Sequence, residues 1–97
     1  MQRTPSVRFV RTENFRRAYR KLDERYRELV KKALAQFLAD HTYPGLRVKR
    51  IQGTDGIWEM RAGRDIRITF ELKGSEDGTS VVTLRNVGHH DPTLKNP

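Results

Sequence analysis

Hydrophobic residues recur at helical spacing in the first half of the chain. Three of them, from Phe15 to Leu22, are separated by four and then three positions, which marks one stripe along a helix. A longer stripe alternates steps of three and one from Tyr26 to Leu38. Thr12 is a suitable N-cap for the first helix. The pattern therefore predicts two amphipathic helices that follow each other closely and fold back as a hairpin.

The rest of the chain alternates hydrophobic and polar residues with the period of two that is typical of strands. The alternating segments are residues 6–10, 46–49, 57–61, 66–73 and 81–87. The tail after Val87 contains two prolines and is predicted to be irregular, without a C-terminal helix. The order β-α-α-β-β-β-β predicts an α+β fold. In this fold an N-terminal helical hairpin packs on a twisted, largely antiparallel sheet of four to five strands, as a single domain over residues 1–97.

Composition excludes several classes of protein. The 97 residues contain no cysteine, so disulfides and cysteine-based zinc sites are absent from the chain. No stretch of about 18 apolar residues could span a membrane. The first ten residues lack the apolar segment of a signal peptide, which predicts a cytoplasmic protein.

The positive charge is concentrated in the first half of the chain. The net charge is +8, yet residues 1–50 hold 14 Lys and Arg against 5 Asp and Glu, while residues 51–97 hold 6 against 7. Such a surface favours a polyanionic partner, although a solvated helix face is the usual alternative. The candidate RNA- or ribosome-binding residues are Arg16, Arg20, Arg27, Lys31, Lys49 and Arg50.

Strand alternation collects charged residues on the sheet face that points away from the helices. Glu59 and Arg61 share this face with Arg67 of the next strand. One interpretation is a solvated face with weak cross-strand ion pairs. The other is a polar site that holds one carboxylate and two guanidinium groups.

A His-His-Asp segment follows the last strand. His89 and His90 are two of the three histidines in the chain, and histidine exchanges protons near neutral pH. A polar strand end and a metal site are alternatives, but a metal would require further ligands from elsewhere. We expect neither a metal nor another cofactor.

Together the two features have the residue types of a metal-free ribonuclease. Cleavage of RNA by its own 2′-hydroxyl requires a base, an acid and cations around the phosphate. Glu59 is the candidate base, His89 or His90 the candidate acid, and Arg61 and Arg67 the candidate cations.

These segments resemble the RelE/ParE superfamily of small toxins from type II toxin–antitoxin systems, and the resemblance spans nearly the whole chain. The matching segments are Ile51-Gln52-Gly53, Trp58-Glu59-Met60-Arg61, Ile66-Arg67-Ile68 and Val87-Gly88-His89-His90-Asp91. The late Tyr or Phe of many active members has no counterpart, and Leu94 is the nearest side chain.

The resemblance implies a function and partners. RelE-like members are ribosome-dependent endoribonucleases that cut mRNA, and YoeB-like members use a Glu base and a late His. ParE-like members instead inhibit DNA gyrase and lack a nuclease site. We therefore expect a metal-independent mRNA interferase that inhibits translation, with the ribosome, mRNA and a cognate antitoxin as partners. A gyrase inhibitor and an inactive RNA- or antitoxin-binding homologue remain the alternatives.

Overall fold

The computed structural model describes residues 6–74 and 76–97. Residues 1–5 and 75, which the predicted domain includes, lie outside this described part. In chain order the elements are β1 (Val7–Arg11), α1 (Glu13–Arg20), α2 (Glu24–Ala39), a 3₁₀ turn (Pro44–Leu46), β2 (Lys49–Arg50), β3 (Ile57–Ala62), β4 (Ile66–Gly74), β5 (Ser80–His89) and α3 (His90–Lys95).

The five strands form one mixed sheet in the order β1-β5-β4-β3-β2. β1 lies parallel to β5, and the other neighbouring strands are antiparallel. The predicted α+β fold with a helical hairpin and a largely antiparallel sheet is therefore confirmed.

The core lies between the helical hairpin and one face of the sheet. Val30 of α2 and Met60 of β3 are fully buried there. The rings of Phe37 and Phe70 meet edge to face with centroids 5.7 Å apart, which joins α2 to β4. Thr12 caps α1 as predicted, because its hydroxyl accepts a hydrogen bond from the Phe15 N–H at 3.1 Å. None of the described helices is both long and apolar enough to cross a bilayer.

The prediction of an irregular tail was wrong, because residues His90–Lys95 form α3. This helix packs on β4 and β5. A Cβ at Gly88 would lie 2.7 Å from the Thr93 hydroxyl, so glycine allows the close approach of helix and strand. The tail is fixed further where the Asn86 amide donates to the Asn96 carbonyl at 2.8 Å.

The predicted strand over residues 46–49 was also wrong in its extent. Pro44–Leu46 form a 3₁₀ turn, and the Leu46 side chain is buried in the core. Arg47 then adopts the left-handed conformation, with φ 46° and ψ 51°. The strand is therefore limited to Lys49–Arg50 at the edge of the sheet.

Candidate functional site

A polar cleft opens on the sheet face that points away from the hairpin. Arg61 of β3 lies opposite Arg67 of β4, and Glu59 lies between Lys49 and Thr69 on the neighbouring strands. The cleft has a volume of about 380 Å³. Its lining residues are Arg47, Val48, Lys49, Glu59, Arg61, Arg67 and His90. Strand alternation thus brings together the charged residues that the sequence placed on one face.

The carboxylate of Glu59 lies deep in this cleft between two cations. Its Oε1 is 3.9 Å from the Arg67 Nε and 3.9 Å from the Lys49 Nζ. The side chains of Glu59 and Arg67 are only 8% and 7% exposed, whereas Lys49 is 69% exposed. A buried ion requires a partner of opposite charge, and the buried Glu59 carboxylate has one in the buried Arg67 guanidinium.

The two arginines of the cleft give it an excess of positive charge. Burial lowers the pKa of Arg67, and the neighbouring Arg61 lowers it further, while Glu59 and Asp65 oppose this shift. Arg67 stays charged because a guanidinium does not deprotonate in proteins. Among the described residues, the Arg61 Nε is a buried nitrogen that has no hydrogen-bond partner. An anion in the cleft would offset the repulsion between the two guanidinium groups.

His90 completes the cleft from the first turn of α3. Its Nδ1 lies 2.8 Å from the Asp91 Oδ1, so Asp91 orients the ring. When Nδ1 donates its proton to Asp91, Nε2 is the ring nitrogen that can exchange a proton with a ligand. The close packing of Gly88 and Thr93 holds α3, and with it His90, against the sheet.

His89 lies in a different cavity from His90. This second cavity, of about 410 Å³, is lined on its helical side by Leu22 and Tyr26. The rings of His89 and Tyr26 meet edge to face at 5.2 Å. The structure therefore groups His90, and not His89, with Glu59 and the two arginines.

Asp65, in the turn between β3 and β4, is a residue that the sequence pattern did not indicate for the site. One of its carboxylate oxygens pairs with the His89 Nδ1, and the other accepts the His90 N–H at 3.3 Å. The His89 hydrogen bond is the main cause that lowers the Asp65 pKa, and the His90 N–H adds to it. Asp65 thus ties the β3–β4 turn to the start of α3. An acidic residue in a turn gives no sequence signal for such a contact.

The predicted RNA-binding residues fall into separate places. Lys49 lines the cleft, whereas Arg50 lies over the Trp58 ring at 5.9 Å from its centroid. Three others surround a cavity of about 320 Å³ on the hairpin, namely Arg16, Arg20 and Lys31. Arg27 lies beside them and donates to the Arg20 carbonyl at 3.4 Å.

Metal ligands are not grouped in the described part of the chain. Within residues 6–74 and 76–97, no three His, Asp or Glu side chains are placed to hold an ion together.

The sequence matches no family model and no curated protein. Solved structures, however, share the fold over almost the whole chain. A YoeB/ParE toxin from Agrobacterium tumefaciens is 16% identical, with a TM-score of 0.68 over 86% of this chain and 98% of that chain. YafQ from E. coli strain BL21(DE3) is 13% identical, with a TM-score of 0.65 over 94% of this chain and 98% of that chain.

A third structure is a complex. The toxin–antitoxin complex RelBE2 from Mycobacterium tuberculosis contains a chain that is 24% identical, with a TM-score of 0.53 over 88% of this chain and 96% of that chain. At such identities these similarities establish the fold. The resemblance to the RelE/ParE superfamily is thereby confirmed at the level of the fold.

Proposed function

We propose that this chain is the toxin of a type II toxin–antitoxin pair and acts as a ribosome-dependent endoribonuclease that cleaves mRNA without a metal. The observation that carries the proposal is the convergence of Glu59, Arg61, Arg67 and His90 on one cleft. Toxins with the same fold support the biological class.

The reaction uses the 2′-hydroxyl of the RNA as its nucleophile. Glu59 takes the proton from this hydroxyl, and the 2′-oxygen forms a bond to phosphorus. The bond from phosphorus to the 5′-oxygen breaks, and protonated His90 gives its proton to that oxygen. The products are a 2′,3′-cyclic phosphate and a 5′-hydroxyl end, so atoms and protons balance.

The two arginines stabilise the charge that develops on the phosphate. Arg61 and Arg67 lie opposite each other on adjacent strands, so both can reach one phosphate in the cleft. The free Arg61 Nε is a donor that the described protein atoms leave unused. A hydrogen-bond donor that is already in position before the reaction typically raises the rate of cleavage by about 10²- to 10³-fold.

The hairpin provides the surface for large partners. Arg16, Arg20, Arg27 and Lys31 lie on one side of it, away from the cleft. We place ribosomal RNA there, because phosphate neutralisation by clustered cations is the usual source of affinity for RNA. A cognate antitoxin with an acidic segment is the partner that suppresses the activity.

The test is a purified translation reaction in which the mRNA 5′ ends are mapped. The wild-type chain should stop protein synthesis and cut mRNA only when ribosomes translate it. Arg67→Gln should abolish the cuts, since it removes a cation from the cleft. Lys73→Gln removes the same charge from an exposed position on the same strand and should behave as wild type.

Two results would overturn the proposal. One is toxicity in cells without any cut in translated mRNA. The other is trapping of DNA gyrase that persists in Glu59→Gln and His90→Ala variants, which is the behaviour of a gyrase inhibitor.

A further inference from the structure

A fourth cavity adjoins the cleft at the connection between α2 and β2. Its volume is about 330 Å³, and its walls are residues 41–44 together with Arg47 and Val48. Arg47 and Val48 also line the cleft that holds Glu59 and His90. The two cavities are therefore neighbours, with Arg47 and Val48 in the wall of each.

Tyr43 is an exposed aromatic residue in this fourth cavity. Its exposure is 47%, whereas the aromatic side chains of Phe15 and Phe70 are 2% and 0% exposed. Its ring lies over the backbone of Gly45, where an added Cβ would be 2.5 Å from the Tyr43 Cε2. Glycine at position 45 thus gives the ring a flat support and leaves nearly half of the side chain open.

The segment that carries Tyr43 is held in place on both sides. The Tyr43 N–H donates to the Asp40 carbonyl at 3.1 Å, and the Tyr43 carbonyl accepts the Leu46 N–H at 3.1 Å. Leu46 is 3% exposed and anchors the turn in the core. The ring is therefore preorganised, which lowers the cost of binding a flat ligand against it.

Arg47 lies at the boundary between the two cavities in an unusual conformation. Its φ of 46° is positive, a region that residues other than glycine rarely adopt. Such strain persists where the surrounding structure imposes it, and it often occurs at binding sites. Here it places Arg47, an exposed residue, in the wall of both cavities.

We propose that the Tyr43 cavity binds the base of an unpaired nucleotide that neighbours the cleaved one, with Arg47 on the connecting phosphate. The inference rests on the proposed function, since it gives the nuclease cleft a second nucleotide subsite. Bases of single-stranded RNA stack on exposed aromatic rings, and a nearby cation holds the backbone.

The test uses oligonucleotides that the chain cannot cleave. A short RNA with 2′-O-methyl groups carries 2-aminopurine at each position in turn, and quenching of its fluorescence reports stacking. The wild-type chain should quench one position next to the phosphate in the cleft. Tyr43→Ala should lose this quenching and weaken binding by about tenfold, whereas Tyr43→Phe keeps a ring and should retain both.

Two further variants test whether a loss of binding comes from stacking on the Tyr43 ring or from the removal of any exposed apolar side chain. Gly45→Ala leaves Tyr43 in the chain but pushes its ring away, so it should also lose the quenching. Leu38→Ala truncates another exposed apolar side chain, 52% exposed, and should leave binding unchanged.

The results also distinguish this subsite from the nuclease itself. Quenching that depends on Tyr43 in a chain that cuts no mRNA would support the subsite and contradict the nuclease. An active nuclease whose binding and quenching are the same in Tyr43→Ala would overturn the subsite. A Tyr43→Ala variant that binds RNA normally but loses an antitoxin would also overturn it, because the ring would then be a protein contact.

Discussion

The Glu59 carboxylate lies 3.9 Å from the Arg67 Nε on the adjacent strand, and both side chains are more than nine-tenths buried. This pair combines the base and a cation of the proposed reaction in one place. Substitution of the two residues should change RNA binding in opposite directions, because the carboxylate repels an anionic ligand and the guanidinium attracts it.

Glu59→Gln should separate binding from cleavage. The change removes the proposed base, so cleavage should fall by about 10²- to 10⁴-fold. It also removes the negative charge of the cleft, so a non-cleavable oligonucleotide should bind more tightly. Single-turnover rates and fluorescence anisotropy measure the two effects. Cleavage within tenfold of wild type would exclude Glu59 as the base.

The two histidines should differ, since they lie in different cavities. His90→Ala should reduce cleavage by about 10²- to 10⁴-fold with little change in stability. His89→Ala removes the pairing with Asp65 and the edge contact with Tyr26, so it should lower the urea concentration at the midpoint of unfolding. Its cleavage rate should stay within about tenfold of wild type. Urea denaturation and single-turnover assays measure both properties, and the reverse ranking would contradict the assignment.

Gly88→Ala should displace His90 without touching it. The new Cβ would lie 2.7 Å from the Thr93 hydroxyl, so the Thr93 side chain, or α3 with it, must shift away from β5. We expect a loss of cleavage with the sheet intact, measured by activity together with circular dichroism. Gly74→Ala is the matched control, because a Cβ there meets nothing within 4 Å. Equal activity in the two variants would show that the position of α3 is unimportant.

Asp65 should contribute stability that is lost in acid. Its pKa in the folded chain is lowered below 3.8, chiefly by the His89 hydrogen bond. The folded state therefore favours the charged form, and the contribution is present above pH 3.8 and lost as the pH falls through the lower folded value. Melting temperatures of wild type and Asp65→Asn should differ by a constant amount from pH 5 to about 4 and converge below it. A difference that grows as the pH falls would contradict this sign.

The sequence predicted the helical layer and the sheet layer because the hydrophobic pattern of each extends over many residues. The stripe from Tyr26 to Leu38 and the alternation from Ile66 to Lys73 each mark one buried face over many residues. The same alternation predicted that Glu59, Arg61 and Arg67 share a face, since the antiparallel register places them there.

The remaining features depend on contacts between distant segments. α3 has only six residues, and it is fixed by packing of Thr93 on Gly88. Its first turn holds Asp91, which suits the helix dipole, and Pro92, which a first turn tolerates. Pro92 is therefore compatible with α3, although prolines in the tail led to the prediction of an irregular structure. His89 and His90 lie in different cavities because β5 ends at His89 and α3 begins at His90. Hydrophobic periodicity does not determine the residue at which a strand ends.

The chemistry of the ends that cleavage leaves on mRNA tests the proposed reaction. Transcripts cut by the wild-type chain on translating ribosomes can be probed by kinase labelling and by RNA ligases that distinguish the termini. We expect 5′-hydroxyl and 2′,3′-cyclic phosphate ends that disappear in Glu59→Gln and His90→Ala. Ends with a 5′-phosphate and a 3′-hydroxyl would show that water, and not the 2′-hydroxyl, is the nucleophile, and would rule out the proposed reaction.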